Sequence, residues 1–260
     1  MDLSFQEALA AAYKSGGQRT RILSEHWLGS QLYCPNCGNP HIERYRNNRP
    51  VGDFFCPACK EDYELKSKRS HFGAKVEDGG YRTMIQCVTE NTNPNFFFLN
   101  YNARNLIVTD LFIIPAHFFS REMIEERRPL SQTAQRKGWI GCRILLQDIP
   151  YAGRIAIVRN GVIEPKADVL ERWRRTLFLR SQRDSEAKGW LLHVMRCIEQ
   201  LDKRQFSLDD VYSFENTLGN AYPGNRHVRA KIRQKLQVLR DSGYLDFVGR
   251  GMYRLTDRSS

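Results

Sequence analysis

The sequence predicts an α/β core with a cysteine-bearing insertion, followed by a smaller α+β module. Three observations carry this. Runs rich in aromatic and β-branched residues alternate with helical patterns through the first two thirds of the chain. Two Cys-Pro-x-Cys pairs interrupt that stretch. The texture changes at the polar run Ser181–Lys188, after which come three helical patterns and a short hairpin.

Taken in order, residues 2–14 are expected to form a helix, with Leu3, Leu9, Ala10 and Tyr13 as an irregular apolar stripe, and Gln18 to Leu28 a second. Cys34–Cys59 reads as loop. Tyr63–Lys68, Asn95–Asn100 and Leu106–Ile114 read as strands, and Phe96–Phe98 as part of a buried one, because consecutive residues alternate faces. Arg154–Val158 is a strand entering a tight turn at Asn160-Gly161. Lys166–Leu179 is helical. The polar run is the expected linker, giving domains 1–182 and 183–260. Beyond it, Trp190–Ile198 is a helix, Ser207 with Asp210 marks the start of another, and Asn220 or Asn225 opens a third that ends at Asp241-Ser242-Gly243. Tyr244–Val248 and Met252–Leu255 form strands around Gly249-Arg250-Gly251. Three helices and a hairpin of this order describe a winged helix.

The chain has 260 residues, 41% of them apolar, enough for a packed core. Lys and Arg number 40 against 29 Asp and Glu, a formal charge of +11, which favours a polyanionic partner, most simply nucleic acid. A membrane span is not expected: Phe96–Leu99 is short and Leu106–Phe119 is broken by Asp110, against the roughly 20 apolar residues needed. Asp2 and Glu7 do not fit a secretory leader. Four of seven cysteines in CxxC pairs point to a metal in a reducing compartment, hence the cytoplasm. No obligate protein partner is evident.

Cys34-Pro-Asn-Cys37 and Cys56-Pro-Ala-Cys59 are separated by 18 residues, a four-cysteine zinc spacing. A closed thiolate shell leaves no position for substrate, so the expected zinc is structural. Cys87, Cys142 and Cys197 are isolated and read as buried thiols, and the six histidines show no metal or general-base spacing.

The second cysteine pair sits between Asp53 and Glu64. If Asp53–Phe55 and Tyr63–Lys66 are antiparallel strands, the cysteine knuckle caps their turn and the two carboxylates become neighbours. Glu64 and Lys66, two apart on a strand, then share a face. Two carboxylates and an ammonium in one place suit Mg²⁺-dependent phosphodiester hydrolysis, in which acids hold the ion and the lysine stabilises developing charge. Asp, ten residues, then Glu-x-Lys fits the PD-(D/E)xK nuclease pattern, with the leading Pro50 displaced by Val51-Gly52. An exposed strand face accounts for Glu-x-Lys equally simply when it is taken alone.

The third C-terminal helix is the expected groove reader. Arg226, Arg229 and Arg233, with Arg240, fall within an arc of roughly 60°, beside an apolar stripe of Val228, Ile232, Leu236 and Leu239. Such a face suits phosphate contacts and guanine reading, and Arg250 in the hairpin turn would touch the flanking backbone. A solvated basic helix or a protein-binding winged helix is the plainer alternative.

With these residues in view, the sequence resembles the DpnI-type restriction endonucleases, which cleave adenine-methylated GATC. The resemblance runs almost end to end. It is carried by YCPNCGN at Tyr33–Asn39, NNRPVGDFFCPAC at Asn47–Cys59, YELKSK at Tyr63–Lys68, NPNFFFLNY at Asn93–Tyr101, GWIGC at Gly138–Cys142 and LQVLRDSGYLDFVGRGMYRL at Leu236–Leu255. It implies a PD-(D/E)xK restriction-endonuclease-like core with a zinc site, plus a winged helix, both contacting methylated double-stranded DNA. It implies Asp53 and Glu64 as Mg²⁺ ligands with the Leu65 carbonyl, Lys66 as the catalytic lysine, and Cys34, Cys37, Cys56 and Cys59 as zinc ligands. Trp139, in GWIGC, is a candidate for contacting the methylated base and equally a candidate core residue. One methyl read in an apolar contact is worth roughly 1–3 kcal/mol. The alternative from another class is a zinc-ribbon and winged-helix transcription regulator without catalysis; acids set beside DNA with no metal between them argue against it. An RNA-binding sheet is disfavoured by the buried reading of Phe96–Phe98.

Overall fold

The structure is a computed structural model that describes residues 1–46 and 52–256. Pro50 and Val51, at the stretched start of the Pro50…Asp53 motif, lie outside the described residues. Helix α1 (Gly16–Gln31) leads into the cysteine loop, which holds strands β1 (Glu43–Arg44) and β2 (Phe54–Phe55). Then follow β3 (Asp62–Lys68), β4 (Lys75–Gly80), α2 (Tyr81–Glu90), β5 (Asn95–Asn102), β6 (Ile107–Ile114), β7 (Ile124–Glu126), β8 (Gly141–Leu145), β9 (Ile155–Arg159), β10 (Val162–Ile163) and α3 (Lys166–Arg175). The central sheet has the order β1-β2-β3-β5-β6-β9-β10, and a smaller sheet the order β4-β8-β7. The expected α/β core is thus present.

Strands β3 and β5 pair in parallel, with Glu64 opposite Phe96 and Lys66 opposite Phe98. A parallel pair needs a crossover, and here it carries β4 and α2. Alternation along β5 sends Phe97, Leu99 and Tyr101 into a core shared with α1 and α3. Phe96 and Phe98 enter the core on the opposite face. The expectation of a buried Phe96–Phe98 strand is borne out, since all three rings are fully buried. Tyr63 goes with the α1 side. Glu64 and Lys66 therefore face the smaller sheet.

The C-terminal part holds α4 (Ser185–Gln200), β11 (Gln205–Ser207), α5 (Leu208–Tyr212), α6 (Glu215–Ala221), α7 (Val228–Asp241), β12 (Leu245–Gly249) and β13 (Met252–Leu255). Its sheet is β11-β13-β12. Ser207 and Asp210 form the expected capping box. The module has four helices and three strands among the described residues, one more of each than the sequence suggests, because short α5 and α6 replace one continuous helix. Trp190, Leu191, Val194 and Leu236 join Met84, Val88, Phe98 and Ile144 in one continuous core.

Three expectations are corrected. Residues 2–14 do not form a helix. Ser4 bridges Ile107, and backbone bonds of Phe5 to Leu106 and of Val108 to Leu3 (2.8 Å each) hold the segment against β6. Only Glu7–Ala10 coils, as a 3₁₀ turn, as befits an irregular apolar stripe. The polar run is a shorter connector than its composition suggests. α4 begins inside it, capped by the Asp184 carboxylate accepting from the Ala187 amide at 2.6 Å, and Lys188 is buried with its ammonium donating to Asn91 at 2.7 Å. The last helix opens at Val228 rather than Asn225; the Asn225 side chain instead accepts from the His227 amide at 2.8 Å. No helix among the described residues is long and apolar enough to cross a membrane.

Gly189 marks where α4 docks. A Cβ there would lie 2.8 Å from both the Glu122 carboxylate and the Tyr222 hydroxyl. Gly189→Ala should therefore destabilise the chain by about 1–3 kcal/mol, despite alanine's better helix propensity. Thermal denaturation checks this, and an unchanged or higher midpoint would contradict the tight docking.

Candidate functional site

The four cysteines converge. The Sγ atoms of Cys34, Cys37, Cys56 and Cys59 all lie within 4.8 Å of one another, with Cys34–Cys59 and Cys37–Cys56 at 3.6 Å. Tetrahedral Zn–S bonds of about 2.3 Å require sulfur–sulfur separations of about 3.8 Å, so the set fits zinc. The two loops are built alike. In each, the amide of the second cysteine approaches the first sulfur at 3.5 Å, and the next residue, Gly38 or Lys60, has a positive φ of 77° or 62°. Tyr63 ties the cluster to the central sheet, its buried hydroxyl 3.0 Å from Cys34 Sγ.

The second knuckle closes the turn between β2 and β3, which pair antiparallel with Phe54 opposite Tyr63 and Phe55 opposite Asp62. The Asp53 amide donates to the Tyr63 carbonyl at 2.7 Å. The Asp53 carboxylate accepts from the Leu65 amide at 2.9 Å. The Leu65 N–H thus points to the β2 edge. In an extended strand the carbonyl of the same residue points to the same edge, which puts the Leu65 oxygen on Asp53's side.

Glu64 and Lys66 meet on the adjoining face, with Lys66 Nζ donating to Glu64 at 2.6 Å. The same ammonium donates to Asp78 on β4, whose side chain is only 5% exposed. Sequence reasoning missed Asp78. Burial pushes the Glu64 carboxyl up to about 7 despite the Lys66 charge beside it, and the charges of Asp78 and Asp53 add to the rise. Burial opposes the Lys66 charge, yet Glu64 and Asp78 outweigh it and hold the ammonium above its ordinary pKa. Asp53, Glu64 and Asp78 gather around one lysine, with the Arg21 guanidinium also within electrostatic reach of Asp53. The Asp53 and Glu64 carboxylates and the Leu65 carbonyl are oxygen donors, the type a hard divalent cation takes.

Trp139 is not part of this cluster. It is half-buried in the loop between β7 and β8, and its ring packs over Gly141, where a Cβ would come within 2.9 Å, and near Gly80. The arginines divide. Arg233 and Arg250 are exposed, the latter beside Gly251, whose φ of 70° permits the β12–β13 turn. Arg226 is exposed but precedes α7. Arg229 is engaged by Glu215 at 2.7 Å and lies over the Tyr212 ring. Arg240 pairs with Asp241 at 2.8 Å, and Lys235 is buried. The acid-free basic face expected from helical geometry is therefore partly neutralised, by an acid on α6 and one at the end of α7.

An α/β core with a four-thiol site, joined to a winged-helix module, is the architecture of a DNA-binding protein. Residues 1–182 match the family described as DpnI, the Dam-replacing family, and residues 186–255 match the Dam-replacing HTH domain. The chain belongs to the DpnI family.

Metal analysis should find one zinc per chain. Cys37→Ser should lose it and lower the unfolding midpoint, since a four-thiolate site contributes a share of roughly 10–16 kcal/mol at neutral pH. Full stability without zinc would contradict the structural role.

Proposed function

We propose that the chain is a methyl-directed type II restriction endonuclease that hydrolyses phosphodiester bonds of double-stranded DNA at adenine-methylated GATC sites with Mg²⁺. In this reading residues 1–182 are the nuclease domain and 183–260 the winged-helix domain, and the enzyme acts in the cytoplasm. The supporting observation is the meeting of Asp53, Glu64 and Lys66 at one strand. A module that only binds DNA gains nothing from carboxylates that repel phosphate.

Asp53, Glu64 and the Leu65 carbonyl would hold the ion. When bound, Mg²⁺ offsets phosphate charge and makes a water easier to deprotonate. Lys66 donates hydrogen bonds from a fixed position beside Glu64. There it orients the attacking water and stabilises the negative charge that builds as one P–O bond forms and another breaks. Arg226, Arg229, Arg233 and Arg250 supply phosphate contacts and guanine reading from the winged helix, with Arg229 exchanging Glu215 for DNA. Trp139 offers an apolar surface to an adenine methyl.

The test digests one plasmid prepared with and without adenine methylation at GATC, with and without Mg²⁺, alongside Asp53→Asn. Cutting only of the methylated plasmid with Mg²⁺, abolished in the variant, is expected. Cutting of both plasmids would remove the methyl specificity. Tight binding without any cutting would leave a regulator.

The pH dependence of ion binding follows from Glu64. A proton must leave this carboxyl before it can take Mg²⁺, and its pKa is pushed up to about 7. Below that pH the proton competes; above it the carboxylate is free. Mg²⁺ should therefore raise the unfolding midpoint more at pH 8 than at pH 6. Equal shifts at the two values would contradict a Glu64 ligand whose carboxyl is raised by burial.

A further inference from the structure

Asp78 belongs to none of the motifs that suggest the nuclease site. It lies on β4, in the smaller sheet, opposite Cys142 of β8 and next to a bulge before Gly80. Its carboxylate is almost fully buried and is directed at Lys66. Two roles are open to a buried acid in this place: a further metal ligand, or a holder of the lysine. Geometry separates them. The prospective ligand oxygens of Asp53 and Leu65 gather at the β2 edge of β3. Asp78 comes from the other sheet, on β4, and its contact in the cluster is the Lys66 ammonium.

Lysine has a flexible four-carbon stem, and Lys66 is fixed at its tip by two carboxylates. A cation taken by Glu64 draws on that carboxylate's charge and weakens its attraction for the lysine. Asp78 is the anchor that remains. We propose that Asp78 is a positioning residue for Lys66, holding the ammonium in place while Glu64 is occupied. This rests on the nuclease reading above.

The test compares full-length wild type, Asp78→Asn, Asp78→Glu and Asp53→Asn. A displacement of about 1 Å can cost on the order of a hundredfold in rate. Asp78→Asn is expected to lower kcat by about tenfold to a hundredfold while the DNA Kd and the Mg²⁺ concentration for half-maximal rate stay within about twofold, and Asp78→Glu should recover part of the loss. A second readout needs no activity: Lys66 labelling by an amine-acetylating reagent, followed by mass spectrometry on the metal-free chain. Asp78→Asn should speed it several-fold by freeing the amine. A raised Mg²⁺ requirement matching that of Asp53→Asn would make Asp78 a metal ligand and overturn the proposal, and an unchanged kcat would do the same. If wild type cuts nothing, the nuclease reading fails by itself; unchanged Lys66 labelling would then overturn the positioning contact separately. Should Asp78→Asn fail to fold, Asp78→Ser carries both comparisons: a lowered kcat with faster Lys66 labelling and an unaltered Mg²⁺ requirement supports the proposal, and unchanged kcat and labelling overturn it.

Discussion

The closure of the β2–β3 turn by the second cysteine knuckle is the constraint on which the acidic site depends. β2 is two residues long, too short to fix its own register by ladder bonds. Its register decides whether Asp53 reaches the Leu65 amide or points elsewhere, because a one-residue slip would turn Asp53 to the other face. The knuckle supplies what the strand lacks. Cys56 immediately follows β2, Cys59 precedes β3 by two residues, and both are fastened to Cys34 and Cys37 on a loop leaving α1. Tyr63 then connects the thiol cluster to the strand that carries Glu64. The cysteine loops close the turn that places Asp53 beside the Leu65 amide.

The same strand shows how burial serves the site. Tyr63 faces the α1 side, where its ring stacks on Phe97 at 5.1 Å, and Glu64 and Lys66 face the smaller sheet. A charged pair on a partly buried face is costly unless its members satisfy one another. Asp78 arrives from β4 to complete that satisfaction. Since β4 pairs with β8, and Trp139 leads into β8 across Gly80 and Gly141, the lysine and the tryptophan are joined through one pair of strands. The small sheet thus links the residue proposed to meet the base to the residue proposed to act on the phosphate.

Much of this was legible in the sequence because it rests on local spacing. The cysteine pairs, the Glu64–Lys66 alternation, the Phe96–Phe98 strand, the Asn160-Gly161 turn and the Ser207 capping box each need only a few neighbouring residues. The smaller sheet was not legible. Lys75–Gly80 contains one apolar residue, Val76, and two glycines, so it carries no strand periodicity; its partner β8, and β7 beyond it, are short and lie far along the chain. Asp78 is therefore visible only once tertiary pairing brings β4 to β3. A signal was present in the adjacent acids Glu77-Asp78 soon after Glu-x-Lys, but adjacency cannot tell a salt-bridged surface from a site. Arg127 pairs with Glu77 at 3.1 Å, and Asp78 alone turns inward. The partners of the α7 arginines were not legible either: helical geometry places Arg229 on the helix, but its pairing with Glu215 of α6 depends on tertiary packing.

The way the winged helix is attached bears on how two halves could read one target. Interfaces between domains are commonly small and polar, and relative motion is then the default. Here Trp190, Leu191 and Val194 of α4 enter the same apolar core as Met84 and Val88 of α2 and Phe98 of β5. Trp190 stacks on Tyr222 at 4.2 Å, and the Tyr222 hydroxyl bonds His193 at 2.8 Å. Separating the halves would expose to water the apolar side chains that meet across this core, at roughly 25 cal/mol per Å² of apolar surface. The exposed Arg233 and Arg250 are thus carried on a module docked through its core rather than tethered by a strand of linker. On the proposed reading, a docked module would hold its arginines at a fixed spacing from Glu64 and Lys66 on β3, so that a duplex gripped by them would meet the proposed nuclease site at one register instead of many.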